Sequence, residues 1–153
     1  MKVRNAVRMA VFSAAFAGFA TAANAQAVQF FAVLDGGNET SAGGDAAVGD
    51  PNGTGVASFM LGASGELCFS LIVRGIANPT AAHIHVGKAG SPPGPIHIAL
   101  EPVPEDGPLG SSSGCLTGVD PAKIAAIRSN PGKYYVNVHN GAYPGGAIRG
   151  QLF

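Results

Sequence analysis

The chain has 153 residues, 46% of them hydrophobic and only 12% charged, and its nine Lys/Arg balance nine Asp/Glu. No basic stripe runs through it, which excludes a nucleic-acid partner. The length suits one domain with a single core.

The first 25 residues read apart from the rest. Lys2, Arg4 and Arg8 precede an apolar, small-residue run, and Ala23-Asn24-Ala25 follows as a small-x-small cleavage site. This is the pattern of a secretory signal peptide, with cleavage expected after Ala25. The apolar run is too short to span a bilayer, and no later stretch reads as a membrane helix. The domain is therefore expected over 26–153, in the periplasm or outside the cell. Without Lys2, Arg4 and Arg8, six basic side chains face nine acidic ones, a formal net of −3.

The next segments alternate short apolar runs with Gly, Pro and Asn clusters, as in all-β sandwiches and barrels. Strands are predicted at Val28–Leu34, Thr54–Leu61, Glu66–Val73, Ala81–Val86, Pro95–Leu100, Gly114–Thr117, Lys133–His139 and Ala147–Phe153. The first connection, GGNETSAGGDAAVGDPNG, is polar and Gly-rich and is expected to be mobile. SPPGP and EPVPEDGPLGSSSG are read as further loops, because proline withholds a donor from a sheet ladder. One helix is predicted in VDPAKIAAIRSNPG, with Asp120 as N-cap, Pro121 in the first turn, and Ile124 and Ile127 on one face. It precedes the last two strands, which Pro144-Gly145 should join through a type II turn. The elements together make a Greek-key-like sandwich.

Alternation also assigns faces. Ile84 and Val86 take the core phase in AHIHVG, as do Ile96, Ile98 and Leu100 in PIHIAL. That leaves His83, His85 and His97 on the opposite phase, with His139, Asn137 and Tyr135 in YYVNVHN and Arg149 in AIRGQLF. All four histidines are thus expected to point at water. His83 and His85 are separated by about 6.5–7 Å along one face, close enough to share an ion. Neutral imidazoles suit copper or zinc. His139 is the better third ligand and His97 the next. The competing reading is that these side chains only hold loops by hydrogen bonds.

Cys68 and Cys115 are the two cysteines. An even pair in an exported chain points to a disulfide; metal ligation competes, but the pair lacks C-x-x-C spacing. Gly110–Gly114 matches G-x-S-x-G without the strand–turn–helix context of a nucleophile elbow. Glu39, Asp45 and Asp50 do not follow the calcium-loop spacing. Glu101, Glu105 and Asp106 sit in a Pro-rich stretch with no cleft in view. No catalytic residue is assigned, and enzymatic activity is not expected.

Taken in order, LDGGNET, GTGVASFML, GELCFSLIVRGI, TAAHIHVGKAG, GSSSGC, NPGKYYVNVHN and YPGGAIRGQL resemble the chordin domain (CHRD) family over about residues 28–153. The leader and single copy resemble its bacterial stand-alone members. The resemblance implies an immunoglobulin-like β-sandwich acting as a non-catalytic binding or structural module. Its partner would be an extracytoplasmic protein or a glycan, and it would need no cofactor. The HIH segment is also similar to the H-x-H of copper/zinc superoxide dismutases. That second likeness implies a copper site at His83, His85 and His139, with Arg149 as a guiding arginine, and it lacks the family's zinc subsite.

Overall fold

The computed structural model describes residues 26–101 and 109–153; the signal peptide expected at 1–25 lies outside them. All eight predicted strands are present. They are β1 (Val28–Asp35), β2 (Thr54–Leu61), β3 (Leu67–Arg74), β4 (Pro79–Val86), β5 (Ile96–Ala99), β6 (Leu109–Leu116), β7 (Tyr134–Asn140) and β8 (Ile148–Gln151). They form one antiparallel sheet in the order β5-β4-β7-β8-β1-β2-β3-β6. The sheet curls so that residues from both halves share one core. Phe30, Phe59, Phe69 and Leu71 of the β1–β2–β3 half join Ile84, Val136, Val138 and Ile148 of the β4–β7–β8 half. The fold is all-β and sandwich-like, with its two layers continuous through the narrow β8–β1 junction. There a single register pair, Asp35 with Arg149, is reinforced by backbone bonds between Phe31 and Phe153.

The helix α1 (Pro121–Ser129) forms where it was expected. The Asp120 side chain accepts from the Ala122 N–H, which satisfies one of the orphan donors of a helix start, and Ile124 and Ile127 face the core.

Four local expectations are overturned. The GSSSG stretch is not a loop but the middle of β6, paired with β3 over eight residues. β6 is an edge strand, so its outer positions need no apolar side chain, and the Cys68–Cys115 disulfide ties it to β3. Val86 and Ile96 are exposed rather than in the core. A β-bulge shifts the β4–β5 register between Ile84 and His85, and the extra residue turns the Ile96 side chain outward. The turn after β7 does place Pro144 and Gly145 centrally, closed by the Gly146 N–H to the Tyr143 carbonyl at 3.1 Å. The positive φ falls on Gly146 (139°), however, not Gly145, so the turn is not type II. A side chain at 146 would run into the Glu39 carboxylate, so glycine there is also required for space.

The fourth concerns the first connection, expected to be mobile, which is packed down. The Asp50 N–H donates to the Ala147 carbonyl at 2.8 Å, Val48 donates to Glu39, and Glu39 and Thr40 are buried. The connection therefore covers part of the outer face of the β7–β8 hairpin.

The disulfide closes a 47-residue separation. On the chain-entropy account, reducing it should lower the unfolding free energy by about 2–4 kcal/mol. Urea unfolding with and without reductant measures this, and an unchanged midpoint would contradict it.

Candidate metal centre

Alternation correctly puts His83, His85 and His139 on the face opposite the core. That face is not wet. His85 is only 6% exposed and Arg149 only 2%. On β7 the outward residues Tyr135 and Asn137 are as buried as the inward Val136 and Val138. The cover consists of the β1–β2 connection and the segment 87–95, and Arg149 fastens one to the other. Its Nη1 donates to Thr40 Oγ1 (2.9 Å) and the Ser91 carbonyl (3.0 Å), and its Nη2 donates to the Lys88 carbonyl (2.8 Å). Its guanidinium lies 3.4 Å from the centroid of the Tyr135 ring. Arg149 is thus a structural clamp inside the protein, not a guiding side chain at an open mouth.

The three histidines converge beside this clamp. One ring nitrogen from each lies within 4.8 Å of the others. His83 and His85 come from β4 and His139 from β7, where Ala81 pairs with His139 and His83 with Asn137. His83 Nδ1 and His139 Nε2 are 3.1 Å apart. A metal–imidazole bond of about 2.0–2.1 Å in a tetrahedral site sets its donors about 3.3 Å apart. One pair is already near that spacing, and the third donor lies within 4.8 Å of both.

Backbone carbonyls orient two of the rings. His85 Nδ1 meets the Gly94 carbonyl at 2.8 Å, and His139 Nδ1 meets the Pro144 carbonyl at 3.1 Å. A carbonyl only accepts, so His85 Nδ1 carries the proton and its Nε2 presents a lone pair. His139 instead faces an acceptor on each side, the Pro144 carbonyl at Nδ1 and Asn137 Oδ1 at Nε2. Gly94 is necessary here because a side chain would collide with the Val86 backbone. Among the described residues, buried His85 Nε2 has no hydrogen-bond partner. Burial holds all three imidazoles below their ordinary pKa. In His83 and His85 the neighbouring rings repel a proton further, as Arg149 does at His85. The Gly94 bond and the nearby Asn137 side chain in His85, and the Pro144 bond in His139, partly oppose the shift. Neutral imidazole is the protonation state a metal ion requires, and His85 Nε2 is the nitrogen already bare, while His83 Nδ1 and His139 Nε2 meet each other.

A supporting shell surrounds them. Tyr135 stacks on His85 with ring centroids 5.1 Å apart and planes within 7°, and its hydroxyl accepts from the Gly94 N–H at 3.2 Å. The Asn137 amide lies 3.1 Å from His139 Nε2 and also bonds the buried Glu39 carboxyl. Sequence reasoning missed Glu39, Gly94, Tyr135 and Asn137 as site residues. The signal for two of them was present, since Tyr135 and Asn137 share the phase of His139. Nothing in the sequence brings Glu39 or Gly94 to the site, because loops deliver both.

The remaining candidates lie elsewhere. His97 packs on Tyr134 and its Nε2 meets the Lys123 carbonyl at 3.1 Å, so it anchors α1. Cys68 and Cys115 are bonded to each other. Asp45 and Asp50 cap turns in the first connection, accepting from Ser41 Oγ and the Asn52 N–H. Glu101 is exposed, and Glu105 and Asp106 lie outside the described residues.

Two predictions follow from the clamp. Lysine cannot reproduce the guanidinium fork, so Arg149→Lys should cost about 2–4 kcal/mol by stranding buried carbonyls, read from urea midpoints. Burial pushes the Glu39 carboxyl up to about 7, against the pull of Arg149, Asn137 and the Thr40 N–H. A raised carboxyl contributes stability that is complete below its unfolded value and is lost as pH climbs through 7. Wild type should therefore lose about 2 kcal/mol relative to Glu39→Gln between about pH 5 and about pH 8. The histidines titrate with the opposite sign but are common to both proteins, so the difference isolates Glu39. Parallel stability curves for the two would refute the assignment.

No curated protein and no solved structure matches the chain. The CHRD domain family does, over residues 30–152, which takes in every strand from Phe30 onward and all three histidines. The chain belongs to the CHRD domain family.

Proposed function

We propose that this CHRD domain is an exported, non-catalytic binding module whose ligand is a transition-metal ion, copper before zinc, held by His83, His85 and His139. The observation that carries the reading is the convergence of three neutral imidazoles on one point, with a buried His85 nitrogen left bare. A buried polar atom without a partner is costly, and a metal bond would satisfy it. Three nitrogen donors, with no thiolate or carboxylate in the group, suit copper and zinc over calcium or magnesium, and copper binds such donors more tightly than zinc. The Gly94 and Pro144 carbonyls hold the far nitrogens of two ligands, as carbonyls behind metal-bound histidines generally do.

Export is supported by the leader and by the disulfide, which persists in oxidising compartments. Partners would then be extracytoplasmic proteins or glycans met at the loop surfaces. Dismutase-like turnover is left out of the reading, because Arg149 is bound into the clamp rather than free to steer an anion.

Metal-free protein titrated calorimetrically in separate experiments with copper(II) or zinc(II) should take up one equivalent of either, copper the tighter. His85→Ala should abolish specific uptake, exceeding the ten- to hundredfold loss typical of an outer-shell change, whereas His97→Ala should leave it intact. Absence of stoichiometric uptake, or uptake indifferent to His85→Ala, defeats the reading.

A further inference from the structure

The outer face of the β1–β2–β3 half differs from that of the β4–β7–β8 half: among the described residues, its cross-strand rows are open. Asp35, Thr54 and Arg74 form one row, Val33, Val56 and Ile72 the next, and Phe31, Ser58 and Ser70 the third. The middle row is apolar in all three strands. Val33 is 61% exposed, and Val56, Ile72, Phe31 and Phe153 are also exposed. A contiguous apolar row on the solvent side of a strand breaks the usual alternation and marks an interaction surface rather than scattered surface apolarity. A groove of about 380 Å³ runs along it between Asp35 and Arg74.

We infer that this face pairs with the same face of a second copy of the chain, about a two-fold axis parallel to β2. Such an axis keeps each row in line while exchanging β1 with β3. Val56 then meets Val56 of the partner subunit once, on the axis, while Val33 meets the partner's Ile72 and Asp35 meets the partner's Arg74, each twice. The charges argue for self-recognition. Asp35 and Arg74 have opposite signs, occupy the same row at equal offsets from β2, and are the charged residues of these three strands. An isologous interface demands self-complementarity of this kind, and two aligned twisted sheets can pack face to face. The histidine cluster lies on β4 and β7 and takes no part, so this inference stands independently of metal binding.

Sedimentation equilibrium on the purified protein tests it. Wild type should sediment at twice the chain mass at micromolar concentration, and Val56→Asp, which sets two carboxylates against each other on the axis, should sediment at the chain mass. Arg74→Asp should weaken the dimer roughly tenfold or more by opposing like charges, and the charge-exchanged Asp35→Arg/Arg74→Asp protein should regain the dimer. Circular dichroism and thermal melts check that each variant is folded, as expected for exposed positions. A wild-type monomer at all concentrations overturns the inference, as does a dimer indifferent to Val56→Asp. So does a monomer that co-sediments with phosphatidylcholine vesicles, which would give the face to a membrane surface instead.

Discussion

Arg149 is the interaction on which the site side of the molecule depends. A buried guanidinium is costly unless its donors are met, and here two backbone carbonyls, a threonine hydroxyl and an aromatic face meet them. Those partners come from two separate loops and from β7. The charge can therefore be buried only when both loops lie down across the sheet. Once they do, the outer face of β7 becomes a second interior, built of polar groups rather than aliphatic ones. The chain needs no second hydrophobic core to make it, because most of these polar groups are held by one another, with His85 Nε2 left over.

The state of the histidines follows from that cover. Tyr135 takes the guanidinium on one side and His85 on the other, while its hydroxyl receives the Gly94 N–H. The Gly94 carbonyl in turn fixes the proton on His85 Nδ1. Each step is a short contact, and together they connect the loop clamp to the orientation of a ligand atom. The same cover removes water from the imidazoles, which depresses their proton affinity and leaves them as neutral donors. For His85, orientation and protonation state thus have one origin, a loop layer pinned by a single side chain.

Much of the fold could be read from residue patterning, and the reasons for the failures are specific. Apolar runs punctuated by Gly, Pro and Asn located eight strands, the sixth only by its end, while period-two alternation gave the histidine face and Asp120-Pro121 the helix. Alternation reports only the side of the sheet on which a residue lies, not whether something lies over it. His85 and Arg149 were therefore assigned the correct side and the wrong solvent. Propensity failed at Ser111–Ser113, where partner strand β3 and a disulfide impose a strand on loop-like composition. It failed at Ile96 because a bulge resets the phase, and a bulge has no sign in a short apolar run. The members of the site that come from loops, Glu39 and Gly94, depend on long-range contacts that no local pattern encodes.

The two halves of one sheet solve the same problem differently. Each strand has an outer face, and each outer face must meet water, the chain's own loops or another molecule. On β7 and β8 the loops provide the cover, and the covered residues are polar and hydrogen-bonded. On β1, β2 and β3 none of the described residues lies over the Val33–Val56–Ile72 row, yet that row is aliphatic where water would favour polar groups. Serines occupy the adjacent row at Ser58 and Ser70, so the strands themselves do not require apolar residues outside. An aliphatic row bounded by one acid and one base therefore fits a surface whose cover arrives from outside the chain. Loops seal the half that holds the histidines, while the other half is left to association, so neither task constrains the residues of the other.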